Sequence, residues 1–273
     1  MSQTIKLEYG MLQPLLSGKM QKNPLLSKII NKVLGYTNIG NYARSRVFRK
    51  QITRLPLEKM QSVLDLGCGY GEYSFMMAKG MKHAHLMALD IDQDALRNVR
   101  YAQSKMQLPN LTIHEGYLNT LKDNTFDLIY SVDVFEHIHE EQMPFKDALA
   151  KLKTGGYLMV KMPHVTQSSV FPKKWFHKHE EWLQHEHPGQ VYTLKQLRDR
   201  FEKEGFKVVY TAQTDGILSR FAWETAYLMK KGGPVAQLLS LPFCKLMIQL
   251  DMWFSSNNHA NGNAITVIGQ KSK

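Results

Sequence analysis

The chain has 273 residues, enough for one α/β domain with insertions and a full hydrophobic core. It has only two cysteines, Cys68 and Cys244, which excludes a disulfide framework and a cysteine-based zinc cluster. The formal net charge is +11, and most of it lies in residues 1–60, where eleven lysines and arginines face two glutamates. The first residues are polar and contain no apolar leader stretch, so we expect a cytoplasmic protein.

The N-terminal segment, residues 1–58, is predicted to form helices interrupted at its prolines and glycines. Between residues 41 and 54, basic side chains alternate with apolar ones. Two interpretations remain open for this stretch. It is either a basic helix that lies on an acidic surface (phospholipid, a phosphorylated substrate or nucleic acid), or a helix that caps the core with a solvated basic face.

The most informative motif follows the first predicted strand, residues 62–66. Gly67, Gly69 and Gly71 alternate with other residues ahead of a predicted helix at 71–79. Closely spaced glycines let the backbone turn sharply and let a ligand lie against main-chain N–H groups. The next strand, 85–90, ends in Asp90, which is where a Rossmann-like βαβ unit places the carboxylate that binds ribose hydroxyls. The motif therefore predicts a nucleoside-binding half-site.

Position 72 distinguishes between two kinds of nucleoside cofactor. A dinucleotide fingerprint needs a third glycine there, but the residue is Glu72, whose carboxylate would face the pyrophosphate of a nicotinamide cofactor. This disfavours a nicotinamide-dependent oxidoreductase. The pattern that begins at Asp65 instead resembles motif I of class I S-adenosylmethionine (SAM) methyltransferases. A tight turn that binds no ligand is the alternative.

The remaining elements alternate in a way that predicts a Rossmann-like, doubly wound sheet, mostly parallel with an antiparallel last strand. We divide the chain into an N-terminal basic helical segment (1–58) and a SAM-binding domain (59–273) with insertions at 163–192 and 214–261. Further strands are predicted near 111–114, 126–131, 156–162, 206–213 and 264–269, and helices near 92–105, 142–152 and 194–204.

The family resemblance extends over roughly residues 60 to 213, through the segments 126–137, 152–163 and 187–206. It is to the small-molecule branch that includes ubiquinone-biosynthesis-type methyltransferases. The resemblance implies that Asp65 and the loop Leu66, Gly67, Gly69 and Gly71 hold the methionine part of SAM. It further implies that Asp90 binds the ribose, that Ile91 packs on the adenine, and that Val132 and Asp133 line the sulfonium side.

At the adenine contact the sequence departs from the family pattern. The family usually has aspartate at position 117, where this chain has Tyr117 followed by Leu118. Either Tyr117 accepts a hydrogen bond or stacks on the base, or Glu115 replaces the missing carboxylate. A non-catalytic nucleoside-binding protein remains an alternative on this ground.

Two histidines are candidate catalytic residues by resemblance. His187 corresponds to a position at the mouth of the substrate pocket, where a neutral imidazole can take a proton from a hydroxyl acceptor. Its alternative role is to anchor its own loop. The second candidate is His137. The other histidines of the 163–192 insertion lack the i, i+4 spacing of a helical zinc pair, and we predict no metal site.

The acceptor class is narrowed by two absences. The chain has neither the Asn/Asp-Pro-Pro-aromatic motif of base-amino methylases nor the Pro-Cys of cytosine methylases, which disfavours nucleic acid. We expect a small molecule, a lipid or a lipid-linked glycan, methylated at oxygen. The apolar insertion 214–261 is interpreted as a lid or dimer surface, or as a peripheral membrane contact. The oligomeric state is not predicted.

Overall fold

In a computed structural model we describe residues 5–10, 12, 23–176, 192–254 and 259–272. Seven strands form one sheet, flanked by helices on both faces. The strands are β1 Ser62–Leu66, β2 His85–Asp90, β3 Leu111–Glu115, β4 Phe126–Val132, β5 Leu152–Pro163, β6 Phe206–Thr214 and β7 Ala264–Lys271. The helices are α1 Pro24–Leu34, α2 Ile39–Ile52, α3 Glu72–Gly80, α4 Gln93–Met106, α5 Phe145–Lys151, α6 Leu194–Lys203, α7 Ile217–Lys231 and α8 Pro234–Phe254.

The strand order is β3-β2-β1-β4-β5-β7-β6. β7 is antiparallel to both of its neighbours, while the pairs from β3 through β5 are parallel. The predicted fold class is therefore confirmed, and the antiparallel last strand lies between β5 and β6. The chain order reverses between β1 and β4, and ligands of such sheets bind at the carboxyl ends beside this point.

The central strands are apolar on both sides because helices cover both faces of the sheet. Val63 belongs to a core cluster with Phe75 of α3, and Leu64 belongs to the opposite cluster with Phe145 of α5. Helix α2 is part of the first cluster, where the ring of Phe48 lies 5.2 Å from that of Tyr130. The N-terminal segment is thus packed into the same core as the sheet.

The basic side chains of α2 are held within the molecule, as expected for a helix that caps the core. Arg46 Nη2 donates to Tyr42 Oη at 2.6 Å and Lys50 Nζ donates to the Met252 carbonyl at 3.0 Å. Arg49 Nη1 donates to the Leu7 carbonyl at 3.3 Å. Helix α2 thus caps the core, as in the second interpretation, but these basic side chains contact the protein itself and not only solvent.

The insertion 214–261 forms the antiparallel helical pair α7 and α8, joined by Gly232 and Gly233. Buried Asp251 near the end of α8 accepts hydrogen bonds from the start of α7, from Gly216 N at 3.1 Å and Ser219 Oγ at 2.7 Å. Buried Glu224 of α7 in turn accepts from Ser169 and from the backbone N–H groups of residues 170 and 171. The described part of the first insertion is therefore tied to the second.

Candidate cofactor and acceptor site

The glycine loop turns directly after β1 and rests on the end of β2. The N–H groups of Gly67 and Cys68 donate to the Leu89 carbonyl at 2.9 and 3.0 Å. Gly67 and Gly69 have φ angles of +74° and +50°, in the left-handed region that favours glycine. A Cβ on Gly67 would lie 2.5 Å from Val134 Cγ2, whereas one on Gly69 would meet no atom within 4 Å. Gly67 is therefore needed for packing, and Gly69 faces open space in which a ligand can lie against the backbone.

Asp90 joins the loop to the end of β2. Its Oδ2 accepts from Gly69 N at 2.6 Å and its Oδ1 accepts from Asp92 N at 2.9 Å. Each carboxylate oxygen has a second lone pair, so both remain able to accept from a vicinal diol. The structure adds to the predicted ribose-binding role a contact that sequence reasoning missed, because Asp90 also holds the glycine loop in place.

Asp65 lies beneath the loop rather than in the open space above it. Its side chain is buried, and its Oδ2 accepts from Ser74 Oγ at 2.5 Å. Burial raises the pKa of Asp65 to about 7, against the lowering effect of the Ser74 and Tyr130 hydroxyls. This geometry indicates that the carboxyl group supports the loop from below.

The predicted adenine contacts lie at the open edge of the site. Ile91 is 60% exposed and Tyr117 is 65% exposed, while Leu118 is buried. Glu115 Oε1 accepts from Gln93 Nε2 at 2.6 Å. Exposed apolar side chains beside a carboxylate suit a planar base that has an amino group. Whether Tyr117 or Glu115 takes the place of the family's aspartate at the adenine stays a prediction.

A buried ionic cluster lies at the carboxyl ends of β4 and β5. Asp133, with φ +54°, directly follows β4 and accepts from Arg44 Nη1 of α2 at 2.7 Å. Its second oxygen accepts from Lys161 Nζ at 3.4 Å, and the Lys161 side chain is only 1% exposed. Burial by itself would raise the pKa of Asp133, but the charges of Lys161 and Arg44 hold it below its usual value.

Sequence reasoning identified Asp133 but missed Arg44 and Lys161 as its partners. A signal for Lys161 was present, because it is the only charged residue in the apolar run 157–162. Arg44 had no comparable signal, since 89 residues separate it from Asp133.

Glu136 follows this cluster and is another residue that sequence reasoning left without a role. It is 1% exposed, and its Oε2 has no hydrogen-bond partner among the residues described. Burial, and then the charge of Asp133, raises the pKa of Glu136 to about 8, so it is mostly protonated at neutral pH. The candidate catalytic residue His137 ends the same short 3-10 helix and is exposed. His187 lies outside the described residues.

Glu72 has a different place from the one expected of it. Its carboxyl group is turned toward the N-terminal stretch, where the backbone N–H groups of Leu12 and Gly10 stabilise its charge. Burial outweighs them and raises the pKa of Glu72 to about 7. The argument that this carboxylate would face the pyrophosphate of a nicotinamide cofactor is therefore wrong, because the side chain reaches across the N-terminus of α3 to residues 10 and 12.

A groove of about 410 Å³ opens between the N-terminal stretch and α2. Aromatic rings of Tyr9, Tyr36 and Tyr42 and the guanidinium groups of Arg46 and Arg49 line it. The Tyr9 ring lies 5.2 Å from that of Tyr73 on α3, and both Arg44 and Asp133 act on the pKa of Tyr73. The groove thus has aromatic walls with two basic groups and one acidic group, Glu8.

A doubly wound sheet with an open glycine loop after β1 and a carboxylate at the end of β2 defines the class of Rossmann-like nucleoside-binding domains used by SAM-dependent methyltransferases. The comparison with known families agrees with this class. Residues 57–224, more than half of the chain, match the family described as methyltransferase domain. The chain belongs to this family, as the motif resemblance predicted.

Similar proteins act on different small molecules. A phosphoethanolamine N-methyltransferase of Triticum aestivum is 28% identical over 127 residues, 46% of this chain and 24% of that protein. A trans-aconitate 2-methyltransferase of Rhodopseudomonas palustris is 25% identical over 194 residues, 67% of this chain and 68% of that protein. The chain thus spans about a quarter of the length of the phosphoethanolamine N-methyltransferases it matches.

Solved structures support the fold. Phosphoethanolamine N-methyltransferase 2 of Haemonchus contortus, in complex with phosphomonomethylethanolamine and S-adenosylhomocysteine, has a TM-score of 0.61 at 16% identity. That comparison covers 91% of this chain and 58% of the other. A putative sarcosine dimethylglycine methyltransferase of Galdieria sulphuraria has a TM-score of 0.56 at 18% identity. That comparison covers 85% of this chain and 84% of the other.

The residues present fit SAM as the cofactor. Gly69 leaves a backbone cradle that a Cβ would fill, and Asp90 retains acceptor capacity for two hydroxyl groups. In the part of the chain that the structure describes, no group of three or more His, Cys, Asp or Glu side chains is placed to hold a metal ion.

Proposed function

We propose that this protein is a SAM-dependent methyltransferase that methylates an oxygen of a small, lipid-like molecule bearing an acidic group. The observation that carries the methyltransferase assignment is the open face of Gly69 beside Asp90, in a chain of the methyltransferase domain family. Asp90 would hold the ribose, and the backbone of Leu66, Gly67, Gly69 and Gly71 the methionine part. Ile91, Leu118 and Tyr117 would border the adenine, and Val132 and Asp133 the reactive end.

SAM, when bound, supplies an electrophilic methyl group on a sulfonium. The chain itself has to orient the acceptor and keep water out, since alignment and a dry pocket provide most of the acceleration in such a displacement. Helix α2 covers the face of the sheet that holds Val63. The aromatic side chains packed there include Tyr9, Tyr36 and Tyr73. They are the residues we assign to excluding water.

The acidic group of the acceptor is inferred from charge. Arg44 and Lys161 face the carboxyl groups of Asp133 and Asp215, and burial raises the pKa of Asp215 and brings that of Glu136 to about 8, which reduces the negative charge around the two cations. The groove adds Arg46 and Arg49 together with Glu8, whose charge is paired with Lys6 and Lys79. A surplus of positive charge in a partly desolvated site favours an anionic ligand. The relatives act on phosphoethanolamine and trans-aconitate, which both carry anionic groups, and this agrees with the proposal.

The lipid-like part is inferred from the aromatic walls of the groove and from the apolar pair α7 and α8 that covers α2. A hydroxyl acceptor must lose its proton as the methyl group is transferred. His187 and His137 are the candidates predicted from the sequence for accepting this proton. We propose a cytoplasmic enzyme that reaches such acceptors at a membrane surface.

The test is methyl transfer from methyl-labelled SAM to an organic and an aqueous extract, followed by mass spectrometry of the labelled product. We expect an O-methylated product from the organic fraction, and none with Asp90→Ala. Label found only in N-methylated aqueous products would contradict the proposed acceptor. Calorimetry with SAM, its demethylated product and NADH tests the cofactor, and binding of NADH without SAM would contradict the reaction class.

A further inference from the structure

Helix α8 has an unusual solvent-facing side. Its inner face, with Leu241, Cys244 and Ile248, is buried against α2 and α7. Its outer face is also apolar, and five large side chains on it are between 47% and 79% exposed: Val235, Leu239, Phe243, Leu246 and Trp253. They recur at helical spacing over about 27 Å of helix, where a surface helix of a globular protein normally carries polar residues.

Helix α1, which contacts α8, carries a second exposed apolar stripe. Leu25, Ile29 and Val33 are 74%, 52% and 74% exposed and lie four residues apart, on one face of the helix. Lys245 of α8 donates to the carbonyl of Leu34, the last residue of α1. This attaches the end of α1 to the middle of α8, between the exposed positions 243 and 246.

The charge around the two stripes has one sign. No acidic residue occurs between Glu8 and Glu58, a stretch that holds nine lysines and arginines, and none occurs from residue 225 to residue 250. Exposed Lys32 flanks the stripe of α1, and exposed Lys230 and Lys231 precede α8. Two copies of this face would repel each other, whereas the headgroups of an anionic bilayer would attract it.

Helix α8 is, within the described part of the chain, the one helix that is long and apolar enough to cross a membrane. Crossing would require its inner face to leave α2 and α7. It would also break the hydrogen bonds that buried Asp251 accepts from Gly216, Leu218 and Ser219. A helix that lies in the plane of the interface keeps all of these contacts and buries only its outer stripe.

We infer that the outer faces of α1 and α8, which we call the docking face, bind to the surface of an anionic lipid bilayer. The apolar stripes enter the headgroup region, and Lys32 and Lys230 meet the lipid phosphates and carboxylates. This inference deepens the proposed location at a membrane surface by naming the face that binds. It does not depend on the proposed reaction, because vesicle binding can be measured without methyl transfer.

Sedimentation of the full-length protein with vesicles tests the docking face. We expect the protein to pellet with vesicles of equal parts phosphatidylcholine and phosphatidylserine, and to stay mostly in solution with phosphatidylcholine alone. Salt should release it, because screening weakens the lysine contacts. Leu239→Glu/Leu246→Glu should weaken binding about tenfold or more, and Lys32→Glu/Lys230→Glu should do the same. The matched control is Tyr101→Glu, which changes an exposed aromatic residue on α4, outside the docking face. This variant should bind to the vesicles as the wild type does.

Four outcomes would overturn the inference. The protein could stay in solution with the anionic vesicles at low salt, or the Leu239→Glu/Leu246→Glu variant could bind as well as the wild type. Binding that resists both salt and alkaline carbonate would show that α8 inserts across the bilayer. Self-association that the same double variant abolishes, without vesicle binding, would show that a second copy covers the face. Circular dichroism of each variant confirms that it is folded.

Discussion

Replacing Asp133 by asparagine tests whether the ionic cluster is a buried structural unit. The substitution keeps the size of the side chain and removes the charge that Arg44 and Lys161 share. Lys161 would then remain almost fully buried without the carboxylate to which it donates, and only the carboxyl group of Asp215 would still interact with its charge. A buried charge that loses its hydrogen-bonded partner has no solvation by water to compensate for the loss.

The expected cost follows from the exposure of the two cations. Removing one partner of a buried ion pair typically destabilises a protein by about 3–5 kcal/mol. Lys161 is 1% exposed and fits this case, while Arg44 is 41% exposed, so that solvent screens its half of the cluster. We therefore expect Asp133→Asn to lower the free energy of unfolding by about 3 kcal/mol. Lys161→Met should cost less, because Asp133 keeps Arg44.

Urea unfolding of the single and double variants at neutral pH provides the measurement. Asp133→Asn/Lys161→Met should cost less than the sum of the single changes by at least about 1 kcal/mol. Because its folded-state pKa is lowered, Asp133 stabilises the protein above its unfolded pKa near 3.9, and this contribution is lost as the pH falls through the folded pKa. Asp94→Asn, an exposed pair with Arg97, is the control and should change little. A cost below about 1 kcal/mol for Asp133→Asn at an unchanged m-value would refute the reasoning.

Three further predictions concern the cofactor site and its pH dependence. Asp90→Ala should weaken SAM binding at least about tenfold by calorimetry, because two charge-assisted hydrogen bonds are lost. The control Asp94→Ala, at an exposed position, should bind SAM normally. Unchanged affinity in a folded Asp90→Ala protein would contradict the assignment. Gly69→Val should remain folded, at a cost of about 1–2 kcal/mol for its positive φ, but should lose SAM binding. Gly67→Val should instead lose stability, because its side chain would clash with Val134. SAM binding retained by Gly69→Val would mean that the loop is only a turn. Burial raises the pKa of Glu136 to about 8, so its contribution to stability is complete below its unfolded pKa near 4.3 and is lost as the pH rises toward 8. Glu136→Gln should therefore flatten the fall in thermal stability between these two pH values. Equal slopes of thermal stability against pH for the variant and the wild type would exclude a raised pKa.

The glycine loop and its flanking strands could be predicted from the sequence because their signals are local. A short apolar run, three glycines at alternate positions and a carboxylate at a fixed distance all lie between residues 62 and 90, and β1, α3 and β2 appear within a residue or two of the predicted bounds. The same holds for β4 and α6, whose hydrophobic period and capping residues are close in the chain. The cofactor class followed from these elements, and the family match confirmed it.

The surroundings of the loop were decided by tertiary structure. Arg44 reaches Asp133 only because α2 folds over the carboxyl end of β4, and Glu72 turns away from the ligand because residues 10 and 12 pass beside α3. The position of β7 between β5 and β6 follows from pairing partners fifty or more residues away in the chain. Such contacts leave no local period or spacing, since the side chains that meet are chosen by the packing of whole elements, and only the folded chain brings their charges and surfaces together.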